Sequence, residues 1–88
     1  MTFIIKFSQE VERCLERLKR KDACLFREAQ KKIVQIAGCD SITINHFKNL
    51  RGSLSRYKRV HVGSFVLFFE VDCNTVIFGK FVHHDNTY

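Results

Sequence analysis

Apolar and polar positions along the 88 residues keep one period in the first half of the chain and another in the second. After a short β-branched and aromatic run, "TFIIKF", the apolar residues Val11, Leu15 and Leu18 recur at spacings that line one face of a helix. Ser8 stands at its N-cap, Glu10 and Glu12 fall in its first turn, and Lys19, Arg20 and Lys21 fall in its last, where the helix dipole favours each charge. Asp22 can cap a second helix, in which Leu25, Phe26, Ala29, Ile33, Ile36 and Ala37 repeat the spacing until Gly38 stops it. Two helices this close are expected to form a hairpin.

The period then shortens. Residues 40–56 read as a short helical turn or a loop in "DSITINHF" and as a turn around Gly52 in "LRGSLSR". Three strands follow, "YKRVHV", "FVLFFEV" and "TVIFGKFVHH", joined by turns at residues 62–64 and 72–74. The order β-α-α-β-β-β predicts a single α+β domain over residues 1–88, a small antiparallel sheet covered on one face by the helical hairpin. Val60 and Val62 must then point to the core, which puts Tyr57, Arg59 and His61 together on the other face. Gly79 interrupts the last strand and marks a bulge that would re-aim the residues after it. Adjacent strand residues point to opposite faces, so at most one of His83 and His84 joins His61.

Composition adds limits. An apolar content of 45% with nine phenylalanines suffices for one modest core without a disulfide or metal staple. The N-terminus has no signal-peptide pattern and no apolar run is long enough for a bilayer, so a cytoplasmic protein is expected. Cys14, Cys24, Cys39 and Cys73 form no C-x-x-C pair and are expected to be reduced and mostly buried. His46, His83, His84 and Asp85 make no recognised ligand set, so neither a metal nor another cofactor is expected.

Charge changes the picture more. Of the net +6, residues 41–69 carry five basic side chains and no acid, whereas residues 70–88 are net negative. Lys48, Arg51, Arg56, Lys58 and Arg59, interleaved with Tyr57 and His61, suit a phosphate-rich partner, or else form a solvated basic surface.

The element order, "LRG" at residues 50–52, "YKRVHVG" leading to Gly63, the apolar "FVLFFEV" and the closing "HHDNTY" together resemble the RelE/ParE superfamily of toxins from toxin–antitoxin systems. The resemblance covers nearly the whole chain. It implies a partner antitoxin that wraps the toxin in a hetero-oligomer. It also implies one of two targets: RelE-type members cleave messenger RNA in the ribosomal A site, and ParE-type members poison DNA gyrase. Without a metal, RNA cleavage has the ribose 2′-hydroxyl attack the adjacent phosphate. That requires a base for the proton, an acid for the leaving 5′-oxygen and cations for the anionic transition state.

By the resemblance, Arg59 and His61 match the basic pair on the first of the three terminal strands. A histidine, with an ordinary pKa near about 6.5, suits the base. His84 stands where the family's late arginine sits and His83 matches the histidine that often precedes it, so either can supply the acid. Tyr88 matches the tyrosine that stacks on a base, and Lys48, Arg51, Arg56 and Lys58 are read as RNA-phosphate binders. One departure is plain: the family's G-D-Y-R turn reads Gly63, Ser64, Phe65, Val66 here, so the second-strand arginine is absent. YafQ-like members use a histidine set in place of lysine and arginine, and residues 57–62 resemble theirs. The expected function is therefore a toxin acting as a ribosome-dependent messenger RNA endonuclease. The alternatives are a ParE-like gyrase inhibitor and an inactive toxin kept as an antitoxin-binding partner.

Overall fold

The computed structural model describes residues 3–40, 42–47, 49 and 56–83. Its elements follow the expected order: β1 (Ile4–Phe7), α1 (Gln9–Lys21), α2 (Ala23–Ala37), a 3-10 turn (Thr43–His46), β2 (Lys58–Val62), β3 (Phe65–Asp72) and β4 (Thr75–His83). Both helices start where their caps predict. The Ser8 hydroxyl accepts from the Val11 amide at 3.2 Å and the Asp22 carboxylate accepts from the Leu25 amide at 3.1 Å; loss of such a cap costs about 0.5–2 kcal/mol.

The strands lie in the order β1-β4-β3-β2. β2, β3 and β4 form two antiparallel hairpins, and β1 joins β4 in parallel, Ile4 opposite Thr75 and Phe7 opposite Phe78, so the α+β sheet is mixed. Both hairpin turns need a left-handed residue, Gly63 at φ +59° and Cys73 at φ +54°. At Gly63 a β-carbon would also come 2.9 Å from Leu25 Cδ1, so α2 packs directly on the β2–β3 turn.

One face of the sheet holds the core. Val11 and Leu18 of α1 and Ala29 and Ile36 of α2 meet Val62, Leu67, Phe69, Val76, Phe78 and Phe81 of the strands. A register row crosses the sheet as Phe7, Phe78 and Phe69, with ring centroids 5.5 and 5.7 Å apart, and Phe47 packs edge-on to Phe69 at 5.5 Å. Such pairs are worth about 0.5–1.5 kcal/mol beyond the area they bury. The connector that delivers Phe47 is held by Asp40, whose carboxylate accepts from the Thr43 and Ile42 amides at 2.7 and 3.0 Å. The Thr43 bonds, then the Ile42 bond, hold that carboxyl below the usual carboxylate range.

The bulge expected at Gly79 is present. Phe68 pairs with Lys80 and Phe69 with Phe78, which leaves Gly79 as the extra residue and inverts the side-chain alternation of β4 beyond it. Ser8 closes this irregularity, its hydroxyl donating to the Gly79 carbonyl at 2.8 Å. Two of the four thiols, Cys24 and Cys73, are exposed rather than buried, and all four are unpaired. No helix among the described residues is long and apolar enough to cross a membrane.

Candidate active site

β2 is an edge strand, and its alternation sorts the basic run. Lys58, Val60 and Val62 pair with Phe69, Leu67 and Phe65 on the helix-covered face, whereas Arg59 and His61 pair with Phe68 and Val66 on the far face. Val66 and Phe68 are buried yet stand outside the cluster that packs under the helices, so the far face has its own apolar floor. Arg59 and His61 are exposed above it, two residues apart on one strand. The pairing continues to β4, where Lys80 shares the row of Phe68 and Arg59, and Val82 the row of Val66 and His61. A histidine and an arginine two residues apart on one strand face are the kinds of group that serve proton transfer and phosphate binding.

Lys58 does not belong to this face. It is only 7% exposed, and its ammonium donates to the Phe47 carbonyl and to Asn49 Oδ1, each at 2.8 Å. That ammonium ties the connector to the sheet, so the RNA-phosphate role read from the sequence is replaced by a structural one: its nitrogen faces two internal acceptors. Alternation carried the signal, since a residue two before an inward Val60 must itself point inward.

Arg56 does lie at the far face. Its guanidinium carbon is 5.1 Å from the centre of the Tyr57 ring, Nη2 donates to the Tyr57 hydroxyl at 3.4 Å, and Nε lies 3.7 Å from Glu70 Oε2. The bond to Tyr57, with the Glu70 charge behind it, raises the arginine's already high pKa. His83 is carried by the bulge to the other side of the sheet: it pairs with Phe65 in the row of Val62, its ring edge-on to Phe65 at 5.3 Å. The structure therefore brings Arg56, Tyr57, Arg59 and His61 to one face and places His83 on the opposite one. The expected site residues Lys48, Arg51, His84 and Tyr88 lie outside the described residues. Lys80 was missed from sequence because its side depends on the bulge.

The position of the family arginine, Val66, is 0% exposed and lies directly across from His61. Among the described residues no group of three His, Cys, Asp or Glu side chains is arranged to hold a metal ion.

Comparison with known proteins gives a consistent picture. No family model matches the chain. A protein of Methanocaldococcus jannaschii provisionally named toxin RelE4 is 40% identical over 87 residues, covering 96% of this chain and 88% of that protein. Among solved structures, the archaeal RelE–RelB complex from Pyrococcus horikoshii matches with a TM-score of 0.69 at 15% identity, over 99% of this chain and 100% of that one. YafQ from E. coli matches with a TM-score of 0.66 at 11% identity, over 98% of each chain.

Proposed function

The chain belongs to the RelE family of toxins, and from that premise we propose that it is a ribosome-dependent messenger RNA endonuclease held in check by a cognate antitoxin. The observation that carries the reading is the pairing of Arg59 and His61 on the far face of an edge strand, above an apolar floor. His61 takes the proton from the ribose 2′-hydroxyl as its oxygen attacks phosphorus, and Arg59 steadies the charge that builds on the phosphoryl oxygens. The leaving 5′-oxygen needs a proton donor on the same face. His83 lies on the opposite face, and the role is given to His84, which the resemblance puts at the family's late-arginine position. Tyr88 stacks on a base of the message, and Arg56, with Lys48 and Arg51, binds its phosphates.

The partner is an antitoxin of the kind that accompanies RelE in the Pyrococcus horikoshii complex. Val66 favours a second reading, a ParE-like inhibitor of DNA gyrase, because the strand beside His61 offers a buried methyl surface where the family has a cation.

The test is to incubate translating ribosomes with each variant and map the 3′ ends of the message. His61→Ala and His84→Ala are expected to lose about 10²–10⁴ in rate, while His83→Ala keeps its cleavage. Full cleavage by both His61→Ala and His84→Ala removes the mechanism. Intact messages together with blocked DNA supercoiling by purified gyrase transfer the function to the second reading.

A further inference from the structure

Acid–base chemistry leaves one arrangement on the far face without a role. Tyr57 lies across β3, its ring edge-on to Phe68 with centroids 6.4 Å apart at 67°, and its phenol end reaches Gly79 on β4. A β-carbon at Gly79 would come 3.0 Å from Tyr57 Cε1 and 3.2 Å from its hydroxyl oxygen, so the glycine leaves a notch that the ring fills. Arg56 rests on that ring, joined to its hydroxyl and tethered by Glu70, yet its side chain stays 70% exposed. An exposed arginine ordinarily samples many rotamers, and three contacts converging on this one oppose that freedom. A planar cation held over an aromatic ring, with its side chain largely open to solvent, offers a nucleobase a surface to stack on. Arg59 and Lys80, together in the neighbouring row, supply charge for the phosphates on either side of such a base.

We propose that the Arg56–Tyr57 pair, seated on Gly79, stacks on one base of single-stranded RNA and so fixes which phosphate reaches Arg59 and His61. This rests on the RNA reading above and adds a base contact separate from Tyr88. Arg56 then acts through the plane of its guanidinium as well as its charge, and Tyr57 is a positioning residue that holds the plane in place.

The test is binding of short 2′-O-methyl RNAs, which cannot be cut through a 2′-hydroxyl, each carrying one abasic position moved stepwise along the strand. In a Tyr88→Ala background, which removes the other stacking contact, one position is expected to lose about 5- to 150-fold in affinity. That selective loss should vanish in Arg56→Lys, which keeps the charge without the plane, and in Tyr57→Leu. The dependence on salt should be unchanged in Arg56→Lys. On ribosomes the same variants should scatter the cut over neighbouring phosphates. Arg56→Lys alters an exposed side chain, so its result stands even if Tyr57→Leu folds poorly. RNA binding in which no abasic position stands out, or the same selective loss in Arg56→Lys, overturns the stacking site and leaves the nuclease reading in place. No binding to RNA or to ribosomes overturns both.

Discussion

The two faces of the sheet are built from alternate residues of the same strands, yet they answer to different physics. Under the helices, Leu67, Phe69, Val76, Phe78 and Phe81 are buried in a continuous cluster, and even the cation there, Lys58, has its ammonium hydrogen-bonded to acceptors inside the fold. On the far side, packing accounts for Val66 and Phe68 but not for Arg56, Arg59, His61 and Lys80, which stand exposed around that floor. Side chains that cost nothing to the core when removed are the ones free to be selected for chemistry.

The sharpest way to break the comparison is to truncate one ring on each face. Phe69→Ala should cost about 3–5 kcal/mol of stability, a large part of what a domain of this size has. His61→Ala should change stability by no more than about 0.5 kcal/mol while removing the cleavage described above. Urea melts and 3′-end mapping on the same two proteins decide the matter, and a His61→Ala protein that melts like Phe69→Ala would show that the far face is structural too.

A second pair sets one cation against another. Lys58→Met leaves the Phe47 carbonyl without its donor and should cost about 1–3 kcal/mol, with the salt dependence of RNA binding unchanged. Arg56→Gln should do the reverse, lowering the slope of log affinity against log salt by about 0.7 for a single-stranded target while leaving the melt in place. Salt slopes equal to that of the unaltered protein in both variants would mean that neither side chain meets phosphate.

The smallest effect is expected at Asp40, at the start of the connector that carries Phe47 to the core. Asp40 has its folded pKa lowered by its bonds to Thr43 and Ile42, so its contribution to stability is fully present above the unfolded value near about 3.9. It is lost as pH falls below that value and through the lower folded one. Asp40→Asn should flatten this part of the pH dependence between pH 5 and pH 2 relative to the unaltered protein, read from melts at each pH.

Most of the fold was legible because its signals are local. Ser8, Asp22 and Gly38 mark helix ends by their own chemistry, and the two-residue turns mark the hairpins. The parallel union of β1 with β4 has no such mark, since nothing in "TFIIKF" says which edge it will meet. The site was legible as far as alternation reaches: Tyr57, Arg59 and His61 follow from Val60 and Val62, and Lys58 would have followed from the same rule. The sides of His83 and Lys80 were not legible. A glycine shows that a strand can bulge, but only the pairing of Phe68 with Lys80 and of Phe69 with Phe78 shows that it does.

The Ser8 hydroxyl, which caps α1 and also donates to the Gly79 carbonyl, gives the fold an order in time. A ribosome makes residues 4–21 well before residues 75–83, so β1 has no strand to pair with, and Ser8 no bulge to close, until the last strand has been synthesised. Contacts so distant in sequence cannot form early and slow the final closure. The helical hairpin can gather its own contacts as it emerges, whereas the far face, whose Tyr57 rests on Gly79, is completed only once β4 has been made.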